Sequence, residues 1–289
     1  MLKIRDGESV SSGLKRVARE QADHAILQLT KPGNPGAAVF ETRKCIKKLR
    51  ALLRLIRPHL GNTAVNENRR LRDLGRTLAT SRDTAAMVET FDGLAKAYPA
   101  EMGLNRFAAL RAHLVSTRDL AATGGDETAL ARAAIAELQK LKRRINLWRL
   151  HGDGFPVVAQ GFDSTWQKGR KALTRARKHP SSANFHELRK RAKDHWFQVR
   201  LMAALWPANS EGYQAAVHDL QETLGDANNV AVLLRTVDWS GIGPLRELAA
   251  RWRDHLRGKA LEAATRIYAA KSPPAAISPP RRVGVEMSE

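Results

Sequence analysis

The sequence predicts an all-α protein, and three features of the 289-residue chain carry that prediction. Apolar residues recur at intervals of three and four, as on the buried face of a helix. The alternation of Val, Ile and Thr that is typical of strands is absent. Gly and Pro are concentrated in a few short breaks, which lie at residues 31–36, 123–125, 152–156, 240–244 and beyond 271.

In chain order, the segments between these breaks are each long enough for one or more helices. In the first segment, Leu14, Val17 and Leu29 fall at helical spacing. Ser11 or Ser12 can cap its start. We expect helices at about 11–30, 38–57, 65–80, 82–97, 101–121, 127–150, 156–178, 183–205, 211–224, 227–238 and 244–270.

The end of the chain differs from the rest. Residues 272–289 contain four prolines and little that could be buried in a core. Segments of this composition do not gain enough from burial to offset the entropy of ordering. We therefore expect a helical domain at 1–270 and a disordered, proline-rich tail at 271–289.

The composition is strongly basic, with 49 Lys and Arg against 29 Asp and Glu and a formal charge of +20. An anionic partner relieves self-repulsion on this scale, which favours proteins that hold polyanions. The single cysteine, Cys45, excludes an intrachain disulfide framework, and residues 1–10 contain no apolar run of signal-peptide length. No stretch approaches the roughly 18 apolar residues of a membrane span. We expect a chain that works in the reducing cytosol.

The chain contains an internal repeat. A shift of 146 residues aligns Glu41–Asp92 with Glu187–Asp238 without a gap, and 13 of the 52 aligned residues are identical. A shared bias toward Ala, Leu and Arg raises such counts. One ungapped register across two helices and their connection is nevertheless hard to obtain from composition alone. We expect two related helical halves, at about 9–150 and 154–270.

The first copy of the repeat carries a cationic stripe on one helix face. Four basic residues lie within roughly 60° of one another about the helix axis. They are Arg43, Lys47, Arg50 and Arg54. No acidic residue between positions 41 and 67 neutralises them. Like charges four residues apart cost a helix about 0.2–0.5 kcal/mol per pair, so the stripe favours a site for an external anion.

The second copy repeats this stripe in part, because Trp196 stands where the first copy has Arg50. A charge-rich helix face is most often plain solvated surface, but its repetition in one register favours a binding site. His186 lies among the arginines and would favour an anion when protonated. We predict polyanion contacts for Arg43, Lys44, Lys47, Lys48, Arg50, Arg54, Arg82, Arg170, Lys171, Arg175, His186, Arg189, Lys190, Lys193 and Arg200.

The sequence gives weaker signals for catalysis or metal binding than for polyanion binding. His186 and Glu187 begin like the zinc motif His-Glu-x-x-His, but Lys190 takes the place of the second histidine and would repel a cation. His195 falls on the apolar face of its helix, where we expect a hydrogen-bonded core histidine. Cys45 faces the packing side of its own helix. Because the chain has no glycine-rich phosphate loop, nucleophile elbow or carboxylate cluster, we expect no enzyme activity, cofactor or metal.

Three stretches resemble signatures of the CHAD family, the conserved histidine α-helical domain. Residues 40–50, Phe-Glu-Thr-Arg-Lys-Cys-Ile-Lys-Lys-Leu-Arg, are similar to His-x-x-Arg-x-x-x-Arg-Arg-Leu-Arg, with Phe40 in place of the histidine. Residues 185–193 are similar to the second signature and keep its histidine. Residues 220–229 resemble the segment that follows. The resemblance extends to about Tyr268.

The resemblance implies a stand-alone CHAD-like domain of two pseudo-symmetric four-helix bundles, with a central basic groove that binds inorganic polyphosphate. It also implies association with polyphosphate granules. Phe40 and Trp196 are departures from the family pattern, since one removes a signature histidine and the other replaces a basic residue.

Nucleic acid is the alternative ligand, because counterion release drives the binding of any polymer with closely spaced phosphates. The stripe of the first copy has no Asn, Gln or aromatic residue of the kind that reads bases or stacks on them. An adaptor that bridges a granule surface to another protein is compatible with either ligand. An enzyme of phosphate metabolism would need acidic metal ligands close to the groove.

Overall fold

The described part of the chain is helical. A computed structural model describes residues 2–31, 35–78, 83–102, 107–121, 127–206 and 211–270, and within these ranges no strand occurs, which confirms the all-α prediction. The helices are α1 (Val10–Thr30), α2 (Pro35–Leu55), α3 (Arg57–Leu60), α4 (Asn62–Thr77), α5 (Asp83–Ala97), α6 (Pro99–Met102), α7 (Ala108–Ala121), α8 (Glu127–Asn146), α9 (Pro156–Lys178), α10 (Ser182–Leu201), α11 (Glu211–Thr236) and α12 (Gly243–Tyr268). Arg82 and the predicted tail at 271–289 lie outside the described residues.

Several helix boundaries differ from the sequence prediction by a few residues, and two of the differences have a clear physical reason. The residue that caps α1 is Ser9, whose Oγ accepts a hydrogen bond of 3.2 Å from the backbone N–H of Ser12. The predicted break between residues 224 and 227 is wrong, because α11 runs through Gly225 without interruption. Leu224 and Ala227 are both buried there, so packing against neighbouring helices holds the glycine in helical conformation.

The long helices form two sets with the same neighbours. In the first set, α1 packs against α2 and α8, and α4 packs against α2 and α8. In the second set, α9 packs against α10 and α12, and α11 packs against α10 and α12. The sequence repeat pairs α2 with α10, and these two helices hold the same place in their sets.

The hydrophobic cores do not follow the sequence halves. The α5 and α7 helices precede the boundary expected near residues 150–154, yet they share a core with the C-terminal part of α11 and the N-terminal part of α12. Leu94 of α5, Val230 of α11 and Leu248 of α12 are buried together in that core. Packing therefore joins the two halves well away from the chain segment that links them.

Close packing around α2 fixes the position of its basic face. A Cβ added at Gly161 of α9 would lie 1.7 Å from the carbonyl oxygen of Leu55, so only glycine permits this approach of α9 to α2. On α10, the Gln198 side chain donates a hydrogen bond of 3.0 Å to the carbonyl oxygen of Ala51. These contacts hold α9 and α10 against α2, and basic residues of α2 and α10 line one groove.

Candidate polyanion-binding groove

A groove of about 820 Å³ lies along α2 and α10, and α5, α11 and α12 complete its walls. Basic residues from both copies of the repeat line it. Eight of the predicted site residues are among them, namely Arg43, Lys47, Arg50, Arg54, His186, Arg189, Lys190 and Lys193. The tertiary structure thus brings the two stripes together on one surface.

Two pairs of equivalent basic residues line the groove. Arg43 and Arg189 occupy the same position of the repeat, and so do Lys47 and Lys193. The equivalence does not extend further along the stripe. Arg54 lines the groove, whereas its counterpart Arg200 does not.

Lys44 and Lys48 do not line the groove. Each follows a groove residue by one position, which turns its side chain about 100° around the helix. Lys44 instead forms an ion pair of 2.9 Å with Glu41, and its Nζ lies 4.9 Å from the ring centroid of Phe40. Burial lowers the pKa of Lys48, and the charge of Arg200 lowers it further. These lysines belong to a neighbouring face of α2.

The predicted residues Arg170, Lys171, Arg175 and Arg200 also lie away from the groove. The three α9 residues are on a helix that does not line the groove. The Arg170 guanidinium stacks on Trp166 at 5.2 Å. Arg200 stacks in the same way, at 5.5 Å, on the aromatic residue at position 196.

Sequence reasoning missed two arginines of the groove. Arg235 lies near the end of α11, and Arg257 lies in the middle of α12. The Arg257 Nη2 donates a hydrogen bond of 3.0 Å to Ser182 Oγ, and its guanidinium lies 4.6 Å from the ring centroid of Phe185. Arg257 lies outside both copies of the repeat and Arg235 aligns with Glu89, so the repeat gave no signal for them. Residues 228 and 229 also line the groove, and the segment that resembles the family signature contained them.

Asp194 of α10 supplies a counter-charge to the basic stripe of α2. Its Oδ1 accepts a bond of 2.8 Å from Arg54 Nη1, and its Oδ2 lies 3.8 Å from Arg191 Nη1. The expectation of an unneutralised stripe is therefore wrong at Arg54, because the partner comes from 140 residues away. Among the described lining residues, nine Lys and Arg side chains face this single carboxylate.

The family of the chain follows from comparison with known proteins. The CHAD domain family model matches residues 16–238, which is well over half of the chain and includes both copies of the repeat. The chain belongs to the CHAD family.

A solved CHAD domain has the same fold. The crystal structure of the CHAD domain from the plant Ricinus communis superposes on 91% of this chain and 89% of its own length, with a TM-score of 0.58. The two sequences are 19% identical, so this likeness shows the fold alone. None of the curated proteins matches the chain.

Burial and neighbouring positive charge both act on Arg50 of this CHAD domain. Burial lowers the pKa of the Arg50 guanidinium to about 10, and the positive charge of Arg54 contributes to the shift. Arg50 Nε donates a hydrogen bond of 3.0 Å to Asn68 Oδ1. The side chain keeps its charge at neutral pH, and a bound anion would offset the part of the pKa shift that the charge of Arg54 causes.

The two histidines singled out in the sequence have different surroundings. His186 is exposed at the groove, where its Nδ1 lies 3.0 Å from Asn228 Oδ1. His195 is fully buried, with Nδ1 3.0 Å from the Tyr268 hydroxyl and Nε2 2.9 Å from the Tyr213 hydroxyl. This confirms the prediction of a hydrogen-bonded core histidine. Burial of Cys45 likewise confirms that its thiol faces the packing side of α2.

The two phenylalanine rings among the described lining residues of the groove are covered by other side chains. Phe185 and Phe197 are 6% and 7% exposed. Arg257 lies over the ring of Phe185, and the Lys193 Nζ lies 5.8 Å from the ring centroid of Phe197. Bases stack on open aromatic faces in proteins that bind single-stranded nucleic acid. The groove of this CHAD domain therefore presents cations rather than stacking platforms.

The described ranges show no sign of two other kinds of site. Within them, no group of three or more His, Cys, Asp or Glu residues is arranged to hold a metal ion. No helix in the same ranges has both the length and the apolar character needed to cross a membrane.

Proposed function

We propose that this CHAD domain binds inorganic polyphosphate in the groove between α2 and α10, and that it does so without catalytic turnover. The observation that carries the proposal is the charge of the groove, where nine described Lys and Arg side chains face one carboxylate. Release of counterions from a linear polyphosphate would drive its binding to such a surface. The CHAD family is associated with polyphosphate binding in general, which supports the same conclusion.

The chemistry of the groove favours polyphosphate over nucleic acid. Polyphosphate has no bases, so a ligand site for it needs only cationic and hydrogen-bond donor groups. The rings of Phe185 and Phe197 lie under Arg257 and Lys193, which leaves them covered. The amide of Asn228 faces His186, which would compete with a base for it. Beyond its phosphate contacts, RNA would therefore find only the amides of Asn228 and Asn229 for its bases in this groove.

Competition between the two polymers tests the proposal. Labelled polyphosphate bound to the protein should resist displacement by single-stranded RNA at matched phosphate concentration. The logarithm of its affinity should fall linearly with the logarithm of salt concentration. Equal displacement by RNA would overturn the preference for polyphosphate and leave a general polyanion-binding protein.

The non-enzymatic part of the proposal has its own test. The purified protein should release no phosphate from polyphosphate or from nucleotides in the presence of Mg²⁺ or Mn²⁺, because the single carboxylate among the described lining residues already pairs with Arg54. Phosphate release that is lost on substitution of an acidic residue of this chain would overturn it. A cytosolic location at polyphosphate granules belongs to the same proposal, and co-localisation of a tagged protein with stained polyphosphate would test it.

A further inference from the structure

Arg54 also lines a second, smaller cleft. This cleft has a volume of about 510 Å³ and lies among α2, α3, α4 and α9, with one residue contributed by α10. Four cationic side chains line it, namely Arg54, Arg57, Lys168 and Arg191. No carboxylate is present among the described residues of its lining.

Two of the four cations already have acidic partners outside the cleft. Arg54 donates to Asp194 at 2.8 Å. Arg191 Nε donates to Glu187 Oε1 at 2.7 Å. These pairs hold both guanidinium groups in place and neutralise part of their charge.

The other two cations give the cleft its net positive charge. Arg57 lines the cleft from α3, and Lys168 lines it from α9. Neither side chain forms an ion pair with any described residue. Partial burial lowers the pKa of Lys168, and repulsion from Arg191, Arg57 and Arg54 lowers it further. Such mutual repulsion favours an anion between these groups.

Neutral polar groups complete the cleft. Gln160, Ser164 and Lys168 follow one another at intervals of four on α9, so they lie on one face of that helix. Asn68 of α4 contributes a side-chain amide. The backbone contact between Gly161 and α2 fixes the separation of the cleft walls. The cleft therefore combines cations with hydrogen-bond donors on closely packed helices.

We propose that this cleft is a second phosphate-binding site, which takes a compact phosphate-bearing anion such as inorganic phosphate or pyrophosphate. The proposal rests on the charge and the donors of the cleft, and it stands whether or not the larger groove holds polyphosphate. Two kinds of ligand can supply this phosphate group, namely a free small anion and the end of a longer polyphosphate chain. The second can reach the cleft from the groove, because Arg54 lines both.

Calorimetry with pyrophosphate tests the site in the full-length protein. The background carries four groove substitutions that leave five Lys and Arg side chains against five carboxylates in the described lining, so that the groove contributes little to pyrophosphate binding; they are Arg43→Glu, Lys47→Glu, Arg189→Glu and Lys193→Glu. Adding Arg57→Gln and Lys168→Gln should weaken the remaining affinity about tenfold or more, because two charge-assisted contacts are lost. The matched control adds Lys171→Gln and Arg175→Gln, which remove the same charge from residues outside both cavities.

A loss no larger than that of the control would overturn the site and leave only a generally basic surface. Thermal melting shows whether each variant is folded. If the double substitution unfolds the protein, Ser164→Asp replaces it, because a carboxylate in the cleft should abolish pyrophosphate binding by repulsion. Unchanged binding by folded Ser164→Asp would equally overturn the proposal.

A second arm distinguishes the two sources of the phosphate group. Long-chain polyphosphate is titrated into protein that carries the cleft substitutions and an intact groove. A weaker affinity supports a cleft that holds the end of the chain. An unchanged affinity, together with lost pyrophosphate binding in the first arm, supports a cleft for a separate small anion. If the protein does not bind polyphosphate at all, this second titration shows it, and the pyrophosphate result of the first titration still stands.

Discussion

Asp194 competes with any anion that enters the groove. Its carboxylate already accepts a hydrogen bond of 2.8 Å from Arg54, and the side chain is largely buried beside Arg191. A phosphate that binds Arg54 must share that guanidinium with Asp194 and be repelled by it. Asp194 therefore stabilises the empty groove while it opposes binding.

We predict that Asp194→Asn strengthens polyphosphate binding and weakens the fold. Removal of the negative charge leaves Arg54 available to a phosphate, so affinity at low salt should rise about threefold or more, and the salt slope should steepen by about 1. Loss of the carboxylate that pairs with Arg54 and Arg191 should lower the free energy of unfolding by about 1–3 kcal/mol. Salt-series calorimetry and urea unfolding measure the two effects.

The control for this variant is Asp6→Asn, which raises the net charge equally at an exposed residue that does not line the groove. It should change neither affinity nor stability by a comparable amount. Equal gains in affinity for both variants would mean that overall charge, and not competition for Arg54, controls binding.

His195 makes the stability of the protein depend on pH. Burial lowers the pKa of its imidazole from 6.5 to about 3, so the ring is neutral in the folded protein. The unfolded chain binds an extra proton there below pH 6.5. The stability contributed by the neutral ring is thus fully present above pH 6.5 and is lost progressively as the pH falls toward 3.

We predict that this single group lowers the free energy of unfolding by about 1.4 kcal/mol between pH 7.5 and pH 5.5. Urea unfolding at the two pH values measures the change. His195→Gln keeps groups that can bond both tyrosine hydroxyls but does not titrate, and the other ionisable groups are common to both proteins. A pH dependence that is the same in this variant as in the wild type would contradict the assignment.

At the scale of helices, α2 and α10 contribute matched pairs of cations to one groove. Arg43 with Lys47, and Arg189 with Lys193, are each four residues apart and equivalent in the repeat. The pairs should act together on a ligand that is long enough to touch both helices. A short ligand can occupy either pair alone.

We predict that replacing both residues of either pair with glutamate weakens the affinity for long-chain polyphosphate at least about tenfold. The affinity for short chains should fall by less. The α2 pair should matter more, because Arg50 and Arg54 extend its stripe while residue 196 interrupts the other. Calorimetry at fixed salt with short and long chains measures both effects.

Lys171 and Arg175 give a matched control for these charge reversals. They are also four residues apart, both are exposed, and they lie on α9 away from the groove. Their replacement by glutamate makes the same change in net charge. A loss of affinity as large as that of the groove pairs, and independent of chain length, would show that the groove is not a defined site.

At the scale of the whole molecule, the shared core of α5, α7, α11 and α12 couples the two sequence halves. We predict one unfolding transition for the protein, and a single transition at lower temperature for Leu94→Ala. Leu94 is fully buried in this core, so its truncation should cost about 2–5 kcal/mol. Scanning calorimetry measures the number of transitions and their midpoints.

The control is Leu147→Ala, the same truncation at a side chain that is 78% exposed, and it should leave the midpoint nearly unchanged. Two transitions, of which Leu94→Ala shifts only one, would show that the halves unfold independently.

Prediction from sequence was most accurate where local pattern decides the structure. Helical spacing placed Cys45 and His195 on buried faces, and both are buried. It was wrong at Gly225, where a residue that weakens an isolated helix is held within α11 by packing. It also wrongly assigned Lys44 to the groove, although one step along the helix turns this side chain about 100° from that of Arg43.

The sequence by itself determined the helical class, the internal repeat and the two basic stripes, because these depend on residue type and on the 3.6-residue period of a helix. Only the tertiary structure decided that the stripes line one groove, that Arg257 joins them and that Asp194 neutralises Arg54. The physical reason is that these contacts join residues as far apart as 140 positions, whose meeting depends on how helix faces pack and not on any local pattern.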